Sequence, residues 1–271
     1  MTPTLEPGLV AVFAGIVGLA LGSFLNVCSL RWPQDESVVS PPSRCPSCGR
    51  GIRAHENIPV LGWLLLRGRC AGCGNRISIQ YPLVELTVGL IWAGLFWQLG
   101  LSWEALRGAL FLTILLGIAL SDARFYIIPD EFSIGGAVLG LGLSFAPGGI
   151  TFVQALGGAV LWTFVLWGVG KAGTLWIKKT NPARLDDMGV DSALGGGDVK
   201  MMALVGAFVG IPGGALTIFV GSAVAVLVFG IARRLTDRLI PFGIFLAAGA
   251  AIAYVWGEAI IDWYMTMVVG R

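Results

Sequence analysis

Charged side chains are scarce in this sequence: only 13% of its 271 residues are Asp, Glu, Lys or Arg, whereas 56% are hydrophobic. Soluble globular proteins carry about 25% charged residues. A water-soluble fold has no way to cover so much apolar surface, and the mean hydropathy of +0.81 agrees. The composition therefore excludes an ordinary soluble protein and predicts one that crosses a membrane several times.

Other scarcities narrow the function further. Histidine occurs once, at His55, which excludes a relay of histidines and a histidine-rich metal site. The net charge of only +2 gives no indication of a nucleic-acid partner. No lysine or arginine precedes the first apolar run, residues 9–30, so we expect that run to remain as a span rather than to be a cleaved signal peptide.

Apolar runs of the length needed to cross a bilayer recur along the chain, since a spanning helix needs about 20 mostly apolar residues. Eight candidates cover residues 8–30, 82–100, 105–121, 132–147, 152–177, 198–211, 213–232 and 240–258. Forty glycines suit close packing between membrane helices. The sequence predicts an all-α polytopic membrane protein with about eight transmembrane helices and an interfacial tail, Ala259 to Arg271.

Positive charge lies almost entirely on one side of this arrangement. Of the 18 lysines and arginines, 16 fall in segments that eight alternating spans place on the same side, at residues 31–80, 124, 171–200 and 233–238. Positively charged loops stay in the cytoplasm. We therefore predict an outside N-terminus, a cytoplasmic loop at 31–81, and a cytoplasmic membrane face for Asp122 and Asp198.

The 31–81 loop is too small to build much of a hydrophobic core by itself. Its cysteines predict a cross-link that stabilises it. They form two C-x2-C pairs, 21 residues apart and each followed by a glycine: Cys45, Cys48, Cys70 and Cys73. Four thiolates on two such turns make a closed tetrahedral site, so we predict a structural zinc ion. The alternative is two disulfides, which a reducing cytoplasm disfavours.

Two aspartates lie at ends of predicted spans: Asp122 in LGIALSDARF and Asp198 in ALGGGDVKMM. An ionisable residue in a membrane helix is a functional candidate. Two aspartates that share a site cannot both ionise easily, so one is protonated while the other acts as a base, and together they can hydrolyse a peptide. On chemistry alone an equal alternative stays open, in which Asp198 caps its helix and Asp122 is solvated.

Neighbouring residues carry weaker expectations. The glycines Gly195–Gly197 allow positive φ and close approach of another chain, which predicts contact between a substrate backbone and this segment. Asp130 is expected to be the N-cap of the fourth helix. Glu85, near the start of the second helix, is expected to snorkel to the interface or to pair with Arg76.

Several segments together resemble the type IV prepilin peptidases, bifunctional leader peptidase and N-methyltransferase enzymes of the Gly-x-Gly-Asp aspartic membrane protease class. They are GSFLNVCSLRWP (22–33), the cysteine loop Ser43–Leu86, SDARFYIIPDEF (121–132), LGGGDVKMMALVGAFVG (194–210) and IPFGIFLAAG (240–249). The resemblance covers nearly the whole chain. The sequence departs from the family pattern at Ser121, at Ile244 and in a long 178–194 loop.

The resemblance implies that Asp122 and Asp198 form a catalytic dyad at the cytoplasmic face of the bacterial inner membrane. The dyad would cleave the leader of prepilins and pseudopilins, and the enzyme would methylate the new N-terminus from S-adenosylmethionine. The candidate substrate- and cofactor-binding residues are Gly195, Gly197, Lys200, Glu56 and Asn57. The last two are placed by resemblance, because no glycine-rich nucleotide-binding fingerprint occurs in the sequence.

The predicted domains follow from this resemblance. Residues 1–30 form a first transmembrane helix, 31–81 a cytoplasmic zinc-binding domain associated with methyl transfer, and 82–271 a transmembrane aspartic peptidase domain. The expected partners are prepilin or pseudopilin substrates and membrane lipid, with no nucleic acid.

Three other functions are weighed against this one. A transporter or channel would carry acids near mid-span and internal repeats, whereas here the acids cluster at one face. A non-catalytic pilus or secretion assembly protein would keep its function without either aspartate. An intramembrane protease acting on other helices would not need the cysteine loop.

Overall fold

The structure is a computed structural model and describes residues 6–180, 191–232 and 241–270. Its helices are α1 (Pro7–Arg31), α2 (Leu61–Leu65), α3 (Gln80–Leu99), α4 (Trp103–Phe125), α5 (Asp130–Leu143), α6 (Phe152–Thr180), α7 (Gly196–Ala232) and α8 (Phe242–Tyr264). Over these three ranges the backbone forms no strand, only isolated bridges.

Six stretches in the described part of the chain are helical, long and apolar enough to cross a membrane. They are Pro7–Gln34, Gln80–Leu99, Trp103–Phe125, Phe152–Thr180, Gly196–Phe229 and Phe242–Val268. This confirms the predicted all-α, multi-pass membrane protein. The last span takes in most of the residues expected to form an interfacial tail, because α8 continues to Tyr264 and a π-helical turn follows it.

The count of eight spans stays a prediction, and two places in the chain decide it. Helix α5 has 14 residues, which is about 21 Å and short of the roughly 30 Å hydrocarbon core. The predicted sixth and seventh spans are joined in α7, whose helical geometry breaks at Gly210 (φ 66°, ψ −162°) just before Pro212. Proline lacks the N–H that would continue the helix, and glycine supplies the left-handed φ.

The chain divides into two compact units, Met1–Thr113 and Ile114–Arg271. In the first unit, α1 and α3 pack closely along each other. A Cβ added at Gly22 would lie 2.7 Å from the Cα of Glu85, and one at Gly18 would lie 2.8 Å from the Cβ of Trp92. Small residues therefore set the approach of these helices, as is usual in membranes.

In the second unit, α7 is the central helix. No room remains for a Cβ between Gly206 of α7 and Gly158 of α6, and a Cβ at Gly249 of α8 would lie 2.5 Å from the carbonyl oxygen of Thr217. Helix α5 meets α7 through Gly140, where an added Cβ would lie 2.7 Å from the ring of Phe208. The first turn of α7, which carries Asp198, is thus held by packing along the rest of its helix.

Residues 181–190 and 233–240 lie outside the described residues. The long loop at 178–194 is therefore described only in part, and Asp191 within it is exposed.

Candidate active site and metal centre

Asp122 lies in the last turn of α4 and is only 5% exposed. Its Oδ2 accepts the N–H of Ile244 at 3.1 Å, and the N–H of Gly243 also donates to the carboxylate. Both amides belong to the first turn of α8, whose N-cap, Pro241, offers no capping side chain. Asp122 therefore serves as the cap of α8 from a distant part of the sequence, at the positive end of that helix dipole. The alternative of a solvated Asp122 is wrong.

Asp198 lies in the first turn of α7 and is half-buried. Its carboxylate accepts the N–H of Gly195. Because α7 begins at Gly196, Asp198 is inside the helix and is not its N-cap, so this part of the alternative is wrong too. The side chain is free to face the space beside the helix start.

That space is a cavity of about 240 Å³ lined by both carboxylates. Its other lining residues are Tyr126, Ile127, Ile128, Gly195, Gly196, Gly197 and Lys200. The two acids are close enough that the charge of Asp122 acts on Asp198. About 10–15 Å³ of such cavity space is enough to hold one water molecule, so the cavity admits water and has room left for part of a substrate. The structure thus brings together the two residues that the sequence paired, and their catalytic role stays a prediction.

The glycines before Asp198 lack the predicted positive φ, and two of them pack against neighbouring residues, while their contact with substrate stays a prediction. None of Gly195–Gly197 has a positive φ. A Cβ at Gly195 would lie 2.9 Å from Asp198 Oδ2, and one at Gly197 would lie 3.0 Å from the Cβ of Ile128, so both allow close packing within the protein. Gly196 has nothing within 4 Å of its missing Cβ. It is the glycine that leaves open space at the cavity, and the candidate residues did not include it.

Sequence reasoning also missed Ile128 and Gly243. A Cβ on Gly243 would lie 2.7 Å from Asp122 Oδ2 and 2.8 Å from Ile128 Cδ1. Ile128 is 8% exposed and meets both Gly197 and Gly243, so it fills the space between the two aspartate-bearing turns. The available signal was the Pro-Phe-Gly start of the last predicted helix, since proline favours the first residues of a helix.

The chain leaves α4 through a strained residue. Tyr126 has φ 57°, and its N–H donates to the carbonyl oxygen of Asp122 at 3.0 Å. Left-handed backbone is uncommon for a bulky residue but is a usual way to end a helix. This turn directs Ile127 and Ile128 to the cavity.

Lys200 binds within the protein. Its Nζ donates to both oxygens of Asp130, at 2.7 and 2.9 Å. Asp130 is the first residue of α5 and Pro129 is the N-cap, so the predicted N-cap is wrong by one position. A substrate acid that pairs with Lys200 has to compete with Asp130.

The four loop cysteines form a metal-ligand cluster in the first unit. Their sulfur atoms all lie within 4.8 Å of one another, and Cys45 Sγ is 3.9 Å from Cys73 Sγ. A tetrahedral zinc site with Zn–S bonds of about 2.3 Å places its sulfurs about 3.8 Å apart. The thiols are free, so the disulfide alternative is wrong and the donor set fits zinc.

The two cysteine turns repeat the same geometry at an offset of 25 residues. In the first, Gly49 (φ 70°) donates to the carbonyl oxygen of Cys45 at 2.9 Å; in the second, Gly74 (φ 74°) donates to that of Cys70 at 2.9 Å. Isolated bridges flank them: Arg44 with Gly51 and Arg69 with Arg76. Each turn needs left-handed backbone that glycine supplies without strain.

Glu56 is bound between the cysteine turns and the rest of the loop. Its carboxylate accepts two bonds from Arg50, at 2.7 and 3.1 Å, and the N–H of Arg53 at 3.0 Å. The Arg50 bonds, followed by the Arg53 amide, lower the pKa of Glu56 to about 2. Glu56 thus holds the loop together, while Asn57 beside it is exposed.

Glu85 differs from its prediction. It is 8% exposed, and its Oε2 accepts the N–H of Val60 at 2.7 Å. The side chain of Glu85 is therefore not extended to the membrane interface, and its hydrogen-bond partner is the backbone amide of Val60 rather than Arg76.

Comparisons with known proteins identify the family of the chain. Residues 16–99 match the bacterial peptidase A24 N-terminal domain, and residues 109–231 match the type IV leader peptidase family. Relatives named prepilin leader peptidase/N-methyltransferase occur in Myxococcus xanthus (37% identity, 77% of this chain and 60% of that protein), Neisseria gonorrhoeae (31%, 93% and 94%) and Bacillus subtilis (33%, 94% and 98%). No solved structure matches the chain. The chain belongs to the type IV leader peptidase family.

Proposed function

We propose that this protein cleaves the leader peptide from type IV prepilins or pseudopilins and then methylates the new N-terminus. The observation that carries the cleavage is the cavity lined by Asp122 and Asp198 in a chain of this family. The protein lies in the bacterial inner membrane, with the loop 31–81 and both aspartates at the cytoplasmic face. The distribution of lysine and arginine favours this orientation.

Cleavage proceeds through a water molecule between the two carboxyl groups, which share one proton. The ionised carboxylate takes a proton from the water molecule while the water oxygen attacks the carbonyl carbon of the scissile peptide bond. The protonated carboxyl group gives its proton to the carbonyl oxygen. When the tetrahedral intermediate collapses, the carbon–nitrogen bond breaks and the carboxyl group that took the water proton gives it to the leaving amine. The other carboxylate takes a proton from one hydroxyl group of the intermediate, which forms the new carboxyl group of the leader and restores the shared proton of the pair. The amides of Gly243 and Ile244 keep Asp122 oriented throughout.

The substrate backbone lies against the open side of Gly196, where a side chain would otherwise stand in the cavity. Gly195 and Gly197 act indirectly, since their lack of a Cβ lets Asp198 and Ile128 pack as they do. The apolar helix of the substrate lies in the bilayer, which explains a hydrolytic site at the ends of membrane helices.

Methyl transfer belongs to the first unit, around the loop 31–81, with S-adenosylmethionine as the donor. Cys45, Cys48, Cys70 and Cys73 hold a zinc ion, which supplies a structural link between the two turns. A closed four-thiolate site leaves no position for substrate, so the zinc ion does not act in catalysis. Glu56 supports this unit through Arg50, and exposed Asn57 is available to ligands.

The test is leader cleavage of a prepilin by the full chain in lipid vesicles. Asp122→Asn and Asp198→Asn are each expected to abolish cleavage, because each removes one half of the shared acid–base pair. Asp191→Asn is the matched control, since Asp191 is exposed and does not line the cavity. The Tm of each variant, measured on the same preparations, has to stay close to that of the parent, which shows that the variants fold. Normal cleavage by either cavity variant would contradict the two-aspartate mechanism.

A further inference from the structure

The first unit contains a strained residue that its predicted chemistry does not explain. Val60 has φ 61° and ψ −50° and stands immediately before α2. For a β-branched side chain a positive φ is a genuine outlier. Such strain persists only where surrounding contacts impose it. Two contacts impose it here: the N–H of Leu61 donates to the carbonyl oxygen of Pro59 at 2.6 Å, across Val60, and a buried carboxylate binds the N–H of Val60 itself.

Glu85 Oε2 accepts the N–H of Val60 at 2.7 Å, at the short end of the range for N–H···O hydrogen bonds. The hydroxyl of Ser23 also donates to Glu85. Because a Cβ at Gly22 would lie 2.7 Å from the Cα of Glu85, α1 closes directly over this part of α3. The acceptor therefore has a fixed position on the membrane helices.

The conformation of Val60 determines where the next residues lie. Its carbonyl oxygen accepts the N–H of Leu64 at 3.0 Å, which begins α2. Gly62 packs so closely on the carbonyl oxygen of Glu56 that no Cβ fits between them, and its N–H donates to Ile58 at 2.8 Å. The turn at Val60 thereby places α2 against the short 3-10 helix Ala54–Asn57, which contains Glu56.

From Glu56 the contacts continue to the cysteine turns. The carboxylate holds the guanidinium of Arg50, two residues after Cys48. The Cδ of Arg50 lies 2.9 Å from the position of a Cβ at Gly72, which stands between Cys70 and Cys73. A continuous series of contacts thus joins Glu85 to both halves of the metal-ligand cluster.

We propose that Glu85 is a positioning residue for methyl transfer: its carboxylate helps to hold Val60 at positive φ and so fixes the cysteine turns against the membrane helices. This rests on the assignment of methyl transfer to the first unit. Glu85 acts as a hydrogen-bond acceptor at a fixed place, and its charge is not required. The amide oxygen of glutamine can replace it, whereas the thioether of methionine cannot.

The experiment compares Glu85→Met, Glu85→Gln, Val60→Gly and the double variant Glu85→Met/Val60→Gly in the full chain. Methylation of a peptide with a free N-terminal phenylalanine is measured against S-adenosylmethionine concentration, and leader cleavage is measured on the same samples. Glu85→Met is expected to lower kcat/KM for methylation about 10- to 100-fold, because a misplacement of about 1 Å can cost about 100-fold in rate. Leader cleavage is expected to change less than about twofold, because a small displacement impairs only the reaction whose groups move.

Two rescues separate positioning from other roles. Glu85→Gln is expected to methylate at nearly the parent rate. Val60→Gly is expected to restore most of the activity lost in Glu85→Met, because glycine adopts positive φ without help. If glutamine is as damaging as methionine, or if Val60→Gly restores nothing, the proposal is wrong.

A readout independent of activity distinguishes this proposal from the assignment on which it rests. Limited proteolysis within 54–66 and zinc retention are measured on all four variants. Faster proteolysis in Glu85→Met that Val60→Gly reverses, with methylation unchanged throughout, would keep the structural role and refute the link to methyl transfer. Should Glu85→Met fail to fold, Val60→Gly has to restore folding and zinc content in the double variant, and failure to do so overturns the proposal.

Discussion

Adding a single methyl group at Gly243 is expected to impair leader cleavage without unfolding the protein. A Cβ at this position would lie 2.7 Å from Asp122 Oδ2, 2.8 Å from Ile128 Cδ1 and 3.1 Å from Asp122 Cγ. An ordinary contact begins near 3.4 Å. Since the backbone of α8 fixes the new Cβ, the carboxylate has to retreat by about 0.7 Å. A misplacement of about 1 Å can cost about 100-fold in rate, so we expect kcat to fall about 10- to 100-fold in Gly243→Ala.

Stability is expected to respond differently from rate. Alanine is favoured over glycine in a helix by up to about 1 kcal/mol, while overpacking costs about 1–3 kcal/mol. The two effects partly cancel, so the Tm of Gly243→Ala should stay close to that of the parent.

The assay is single-turnover cleavage of a prepilin in vesicles, with Gly257→Ala as the control. Gly257 lies on the same helix, and its added Cβ would meet only Leu216 Cδ2 at 3.8 Å, an ordinary contact. Cleavage by Gly243→Ala within about twofold of the parent would refute the claim that Asp122 is held in its working position by the start of α8. An equal loss in both variants would show a general effect of alanine in this helix.

Further predictions concern the first unit. Cys48→Ser is expected to abolish zinc binding, measured by elemental mass spectrometry, and to abolish methyl transfer while leader cleavage persists, because three thiolates no longer close the site; parallel loss of cleavage would contradict separate sites. For Glu56, whose pKa is lowered from 4.5 to about 2, the folded state favours the ionised form, so the stabilisation is fully present above pH 4.5 and is lost as the pH falls toward 2. The difference in free energy of unfolding between the parent and Glu56→Gln, measured by denaturant titration at several pH values, should therefore shrink over that interval, and a difference that grows would show the sign to be wrong.

Features fixed by local sequence could be predicted well. A C-x2-C turn followed by glycine specifies its own backbone, and both cysteine turns have the expected geometry at Gly49 and Gly74. The apolar runs predicted the long helices for the same reason, since length and hydropathy are local properties. Asp122 and Asp198 could be paired because both end predicted spans on the same side.

Features that depend on a distant partner could not be predicted. The amides that hold Asp122 come from Gly243 and Ile244, more than a hundred residues later. The purpose of a glycine is equally hidden, because the atom that excludes its Cβ belongs to another turn: Ile128 for Gly197, and Asp122 for Gly243. From the sequence, the glycines at 195–197 are expected to make room for substrate. In the structure, Gly195 and Gly197 make room for side chains of the protein itself.

The two buried acids show how a chain with few cations accommodates carboxylates near a membrane. An ionised carboxylate removed from water needs hydrogen-bond donors or a positive partner. Asp122 receives backbone N–H groups from the first turn of α8, and Glu85 receives that of Val60 at the start of α2. Helix starts have N–H groups to spare, because their first amides have no partner within the helix.

Binding a carboxylate through backbone N–H groups, rather than through a cationic side chain, affects both cleavage and methylation. A lysine or arginine on a long side chain can follow a moving carboxylate, whereas a backbone amide fixes it to one place. Each acid is therefore as well positioned as the helix start that binds it: Asp122 depends on the packing of α8, and Glu85 on the turn at Val60. Substitutions that shift either helix start should consequently act on the chemistry even when they touch neither acid, which is the reason to expect an effect from one methyl group at Gly243.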